Sequence, residues 1–211
     1  MDQFLSELKQ VGIVPVIKID TAENAVPLAA ALQAGGLPAA EITFRSDAAA
    51  DAIRAISKSM PGIFICAGTV LNVETAKRAL DAGAKAIISP GTNMELVRWC
   101  VKQGVTVIPG CATPTEVEAC MREGLTTVKL FPAAVLGGVA MLKALAGPYF
   151  NMGFMPTGGI SPSNVKEYLA LKNVVACGGS WIAPEKLLKE KRFDEIQRLA
   201  EEAAKLRDEI R

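Results

Sequence analysis

A chain of 211 residues, half of them hydrophobic and 21% charged, has the composition of one globular domain with no disordered or low-complexity tract. Its formal charge of +1 comes without a basic stripe, which argues against a nucleic-acid partner, and apolar runs broken within about ten residues are too short to span a bilayer. The absence of histidine excludes His-ligated metal sites and histidine general bases; five cysteines with no CxxC argue against a disulfide framework or a thiolate zinc site, so no metal and no cofactor are expected.

Residues 1–10, MDQFLSELKQ, read as a short amphipathic helix rather than a signal peptide, and a soluble cytoplasmic protein is expected. Short apolar runs then alternate with longer amphipathic segments. The runs are Val11–Ile19, Ala39–Phe44, Ile63–Ala67, Ala86–Ser89, Val105–Pro109, Thr126–Phe131, Gly153–Pro156 and Val174–Cys177. Their centres lie roughly 20 to 26 residues apart, room for one strand, one helix and two short loops. Each run is nearly continuous in Val, Ile, Ala or Phe, as in parallel strands covered on both faces.

Between the runs, Glu23–Ala34 is helical and stops at Gly35-Gly36; Thr75–Ala82 stops at Gly83, Met94–Gln103 at Gly104, and Thr115–Glu123 at Gly124. Pro114 and Pro162 each follow a Thr or Ser, a pattern that predicts an N-cap followed by Pro at the first helical position. In the tail, Ile196, Leu199, Ala203, Leu206 and Ile210 repeat at three- and four-residue steps and predict a last helix. Eight strand–helix units without a linker favour an α/β fold closed as a (β/α)8 (TIM) barrel over residues 1–211, with a short N-terminal helix and a C-terminal helix.

Sites in such folds lie at the carboxyl ends of the strands. Lys129 interrupts the sixth strand. Thr127, Lys129 and Phe131 share one strand face while Val128 and Leu130 take the helix-facing side, so Lys129 points inward. Burial disfavours an ammonium, and a neutral amine is the form that attacks a carbonyl to make a Schiff base; the alternative is a structural ion pair. Glu41 interrupts the second strand in the same way, with Glu41, Thr43 and Arg45 on one face, and it can shuttle protons beside Lys129 or merely neutralise it. Arg45 can fork onto a carboxylate or phosphate, or be a surface residue. Thr157-Gly158-Gly159 follows the seventh strand and Gly178-Gly179-Ser180 the eighth, where many barrels bind phosphate through backbone N–H groups. Thr69 offers a hydroxyl at the end of strand three. Pro90 and Pro109 read as strand stops, and Lys18 as a helper or surface cation.

The segments VPVI at 14–17, EITFR at 41–45, AGTVLN at 67–72, ISPGTN at 88–93, VIPGCATPTE at 107–116, VKLFPA at 128–133, GPYFN at 147–151, PTGGISPSN at 156–164 and CGGSW at 177–181 run through nearly the whole chain. In them the sequence resembles the 2-keto-3-deoxy-6-phosphogluconate (KDPG) / 4-hydroxy-2-oxoglutarate (KHG) aldolases, class I. The resemblance implies that Lys129 is the Schiff-base lysine and Glu41 the acid/base. It implies that Arg45 and Thr69 hold the pyruvate carboxylate, that Thr157 contacts the substrate chain, and that Gly158, Gly159, Gly179 and Ser180 take the phosphate. It further implies a phosphorylated 2-keto acid as substrate, pyruvate as product and a homotrimer. Cys66 stands where the family more usually has glycine. Two alternatives keep the barrel: a phosphosugar isomerase or decarboxylase working without a covalent imine, and a non-catalytic barrel that binds a phosphorylated metabolite.

Overall fold

Parallel strands alternate with helices along the chain in the computed structural model, which describes residues 3–211. The first half reads α1 (Gln3–Val11), β1 (Ile13–Ile17), a 3-10 turn (Ala22–Asn24), α2 (Ala25–Ala34), β2 (Ala39–Thr43), α3 (Ala49–Ser59), β3 (Phe64–Gly68), α4 (Val73–Asp81), β4 (Ala86–Ile88) and α5 (Met94–Lys102). The second half reads β5 (Val107–Ile108), β6 (Gly110–Cys111), α6 (Pro114–Arg122), β7 (Thr127–Leu130), α7 (Gly138–Ala146), β8 (Gly153–Phe154), α8 (Val165–Leu169), β9 (Cys177–Gly179), α9 (Glu185–Lys189) and α10 (Phe193–Asp208). Met1 and Asp2, included in the expected N-terminal helix, lie outside the described residues. Among the described residues no helix is long and apolar enough to cross a membrane.

The architecture is α/β with every strand parallel. A six-stranded sheet runs β5-β4-β3-β2-β1-β9, and a three-stranded sheet runs β6-β7-β8. The expected fifth strand, Val105–Pro109, is therefore two pieces. Pro109 has no N–H to give to a ladder, so β5 pairs with β4 before it and β6 pairs with β7 after it. The expected eighth strand is shifted toward the carboxyl end. Val174 makes only an isolated bridge to Phe154, and the ladder with β1 begins at Cys177. A second isolated bridge joins Thr157 to Gly178.

Strand alternation divides the interior in two. Ile13, Ile17, Ala40, Ile42, Ile65, Ala67, Ile87, Val107 and Val128 face the helices and pack with them in one apolar cluster. Val14, Ala39, Cys66, Ala86, Ile88 and Ile108 face the opposite way and form a second cluster, closed at the amino ends of the strands by Phe4, Leu8 and Val11 of α1. Phe4 stacks on Phe64 with ring centroids 4.3 Å apart. A fully buried leucine such as Leu8 is worth about 2 to 5 kcal/mol against alanine, so α1 is a structural plug.

The helix stops fall as expected. α2 ends at Gly35 with Gly36 at φ 81°, and Gly83, Gly104 and Gly124 all hold positive φ after α4, α5 and α6. Gly35 has a second reason to be glycine: a Cβ there would sit 2.5 Å from the Ala200 Cβ of α10. The tail stripe is correspondingly displaced. Ile196 and Ala203 are buried, joined by the small Ala200 and Ala204 that let α10 close on α2, while Ile210 is exposed beyond the helix. Thr113-Pro114 opens α6 with a full capping box to Glu116. Ser161-Pro162 does not open α8, which starts at Val165 with Asn164 at the cap position and no cap hydrogen bond from its side chain. Its side chain instead accepts the Ser161 N–H and donates to the Gly159 carbonyl, both at 2.9 Å.

Candidate active site

β2 and β7 build the centre of the site. Ala39 belongs to the inner cluster, so two residues later Glu41 also points inward, and Thr43 after it; Val128 and Leu130 pack against the helices, so Lys129 points inward as well. The two side chains meet across the inside of the fold. Lys129 Nζ donates to Glu41 Oε1 at 3.0 Å, although 88 residues separate them in sequence. Glu41 is fully buried and Lys129 is 4% exposed. The sequence left an active lysine and a structural ion pair both open, and the geometry contains a pair with functional features. Glu41 Oε2 is buried without a hydrogen-bond partner, and so is Thr157 Oγ1 on the opposite wall. Buried polar atoms are seldom left in that state, and a catalytic role or a bound water or ion are among the causes when they are.

The surrounding residues fit around this pair. Gly68 lies opposite Thr43 in the β2–β3 ladder, and a Cβ on it would come within 2.3 Å of Glu41 Oε1. Only glycine leaves space for the carboxylate there. The Lys129 ammonium lies 5.5 Å from the Phe131 ring centroid, within cation–π range. Burial and the nearby Glu41 charge push the Cys66 thiol well above its ordinary value, so Cys66 is an inert residue of the inner apolar cluster. Among the described residues no group of three or more Cys, Asp and Glu is placed to hold a metal ion.

Glu41, Thr43, Lys129, Phe131 and Thr157 line a cavity of about 290 Å³ that also includes Arg45, Thr69, Gly158, Gly159 and Ser180, with Val16, Pro90, Ile160 and Gly178. Eight of the nine expected site residues are thus brought together. The ninth, Gly179, is not in the lining. β9 faces Gly178 inward, where a Cβ would meet Thr157 Oγ1 at 2.3 Å, and turns Gly179 toward the Trp181 ring, where a Cβ would be 1.9 Å from Cζ3. Both glycines are also part of β9 rather than of a loop after the last strand. The other glycine pair does form a loop, with Gly158 at φ 95° and Gly159 at φ 77°. Ala133 and Ala134 pin it through N–H donation to Thr157 O at 2.8 Å and Gly158 O at 3.0 Å. Thr69 holds φ 56°, a left-handed conformation costly for a β-branched residue and common where function over-determines the backbone.

Sequence reading missed several wall residues. Val16 was legible from alternation with Val14, and Phe131 from alternation with Lys129. Thr43 was placed on the right face without a task. Pro90 was read only as a strand stop, and its position over the cavity depends on Gly110, where a Cβ would lie 2.1 Å from Pro90 O. Lys18 stays off the cavity wall, paired with Asp20 at 3.0 Å and Glu185 at 3.5 Å.

A lysine and a carboxylate buried together near the carboxyl ends of parallel strands, in an α/β fold with a glycine-rich loop beside them, fit the class of enzymes that act on a carbonyl compound through a buried amine. The chain belongs to the KDPG and KHG aldolase family, whose model matches residues 4–199. It is 46% identical over 200 residues to the 2-dehydro-3-deoxy-phosphogluconate aldolase of Haemophilus influenzae, covering 95% of this chain and 94% of that one. It is similar to the KDPG aldolase of Legionella pneumophila, solved with pyruvate captured at low pH as a covalent carbinolamine intermediate: TM-score 0.91, 39% identity, 94% of this chain and 97% of that chain covered. A further similar structure is the 2-keto-3-deoxy-6-phosphogluconate aldolase of Zymomonas mobilis with 3-phosphoglycerate, with TM-score 0.88, 35% identity, and 95% and 94% coverage.

Proposed function

We propose that this protein is a class I aldolase that cleaves 2-keto-3-deoxy-6-phosphogluconate to pyruvate and glyceraldehyde 3-phosphate, and also 4-hydroxy-2-oxoglutarate to pyruvate and glyoxylate. The observation that carries the reading is the buried Lys129 amine 3.0 Å from Glu41, at the floor of a cavity long enough to reach the Gly158-Gly159 loop.

The chemistry follows from those positions. With a proton passed from Lys129 to Glu41, the free amine attacks the C2 ketone to give a carbinolamine. Glu41 returns a proton to the departing hydroxyl, water leaves, and a protonated imine forms. The imine withdraws the electrons of the C3–C4 bond while Glu41, directly or through water, takes the C4 hydroxyl proton. The aldehyde departs and the enamine remains. Protonation at C3 and hydrolysis of the imine release pyruvate and restore the amine. General acid–base help of this kind is worth about 10² to 10⁴ in rate. Arg45 and Thr69 hold the carboxylate, Thr157 meets the substrate chain, and Gly158, Gly159, Gly179 and Ser180 take the phosphate. Gly178 clears space beside Thr157.

In this reading the protein works as one domain over residues 1–211, a closed (β/α)8 barrel. Continuity of the chain through Pro109 and the bridges Phe154–Val174 and Thr157–Gly178 support closure, since they link the ends of the two sheets. The reading includes a homotrimer, a place in the Entner–Doudoroff pathway and a cytoplasmic setting. Five unpaired, buried cysteines suit a reducing compartment.

Borohydride reduction in the presence of pyruvate tests the proposal. It should add one reduced pyruvate at Lys129, located by peptide mass, and Lys129→Ala should abolish pyruvate release in a lactate dehydrogenase-coupled assay. Labelling of another lysine, or of none, overturns it. Turnover on KDPG, its galactonate epimer and KHG then ranks the substrates.

A further inference from the structure

One inward residue has no part in the mechanism above. Thr43 sits between Glu41 and Arg45 on the face of β2 that lines the cavity, and it is 1% exposed. Its hydroxyl carries one proton and two lone pairs. The proton is donated to Ile17 O of the neighbouring strand β1 at 2.9 Å, which leaves the oxygen to accept from Arg45 Nε at 3.0 Å. The backbone arranges the meeting. Arg45 N–H donates back to Thr43 O at 2.8 Å, so the chain turns at Phe44 as β2 ends and brings the Arg45 side chain over Thr43. Arg45 is otherwise an exposed side chain, and a free arginine has many rotamers to lose on binding a ligand.

A guanidinium meets a carboxylate through two parallel N–H groups, from either the Nε side or the Nη end. With Nε engaged by a buried acceptor, only the Nη end remains to grip a ligand. The geometry points to Thr43 as a positioning residue that orients Arg45, so that the substrate carboxylate is gripped end-on through Nη1 and Nη2. This rests on the proposed aldolase reading and extends it: β1 fixes the Thr43 hydroxyl, the hydroxyl fixes the guanidinium plane, and the plane selects a planar anion at one end of the cavity.

The test compares Thr43→Val, which keeps shape and removes the hydroxyl, with Thr43→Ser, which keeps the hydroxyl. Holding a rotamer-rich side chain in place before the ligand arrives is worth a factor of about 3 to 10 in affinity. Thr43→Val should therefore raise the KM for KDPG by about 3- to 10-fold and leave kcat within about twofold, and Thr43→Ser should restore KM to within about twofold of wild type. The concentration of pyruvate giving half-maximal borohydride trapping at Lys129 should rise in step with KM in Thr43→Val. That for pyruvamide, which has the ketone without the carboxylate, should be the same in all three proteins. An unchanged pyruvate midpoint in Thr43→Val overturns the assignment, as does an equal shift for pyruvamide, which would make Thr43 a structural residue only. Failure of the wild type to trap pyruvate at Lys129 sinks the aldolase reading itself, and the Thr43 assignment with it.

Discussion

Removing one member of the Lys129–Glu41 pair leaves the other charged, buried and unpartnered. Glu41 is fully buried, its Oε2 already lacks a hydrogen bond, and the Lys129 side chain is 6% exposed. A buried pair broken on one side costs about 3 to 5 kcal/mol, whereas replacing both members by apolar residues of similar volume is often neutral or stabilising by about 1 to 4 kcal/mol. Lys129→Met and Glu41→Leu should therefore each lower the unfolding free energy by about 3 to 5 kcal/mol, and the double variant should recover to within about 1 kcal/mol of wild type or exceed it. At roughly 2 to 4 °C per kcal/mol for a chain of this size, each single variant melts about 6 to 20 °C lower. Urea unfolding at pH 7, followed by far-UV circular dichroism with the four m-values compared, measures the cycle. Two results would refute the reasoning: single losses below about 1 kcal/mol, which place both charges in water, or a double variant that loses the sum of the singles, which removes the coupling.

Gly68→Ala should cut turnover by about 10²-fold with little change in fold, because its Cβ would lie 2.3 Å from Glu41 Oε1 and must displace the carboxylate; the coupled pyruvate assay beside a melting curve separates the two effects. Thr69→Gly should stabilise the protein by about 1 kcal/mol by relieving the φ 56° backbone, while losing activity with the hydroxyl; urea midpoints and the same assay measure both. Thr113→Ala should cost about 1 kcal/mol at neutral pH through loss of the α6 cap. The loss should also depend on pH. Burial pushes the Glu116 carboxyl up, but donation from the Ala112 N–H, the Thr113 hydroxyl and the Thr113 N–H outweighs it and holds Glu116 below the usual carboxylate range. The stability this provides is present above the unfolded-state value of about 4.3 and disappears as pH falls through the lower folded value. The gap between wild type and Thr113→Ala should narrow over that window in unfolding curves measured from pH 7 down.

Much of the site was legible because two strands advertise their own facing. In Ala39–Phe44 and Thr126–Phe131 a single charged residue interrupts an otherwise uncharged run, and a charge cannot face the helix layer, so Glu41 and Lys129 had to turn inward. Inward facing already set Glu41 beside Lys129; the direct 3.0 Å contact was not legible, since nothing local fixes the distance between two positions 88 residues apart. Which of Gly178 and Gly179 faces inward was not legible for a related reason. Two glycines carry no side-chain pattern, and only the partners, Thr157 on one side and Trp181 on the other, reveal which faces in. The break at Pro109 was lost because a missing N–H ended one ladder, and the start of α8 because Ser161 and Asn164, three residues apart, are both cap-type residues.

One period sets both core and chemistry. Along the inner face of β2 the residues are Ala39, Glu41, Thr43 and then Arg45, a climb from apolar cluster to ion pair to hydroxyl to open guanidinium in three steps of two residues. On β3 the same face holds Phe64 and Cys66 before reaching Gly68, the gap that admits Glu41. Each strand thus begins as core and ends as site, and the helix-facing residues between, such as Ala40, Ile42 and Ala67, anchor both halves. A slip of one residue in β2 would drive Glu41 into the helix layer and Ile42 into the cavity. The apolar packing that fixes the register of β2 against β1 and β3 therefore also fixes the 3.0 Å contact on which the amine chemistry depends.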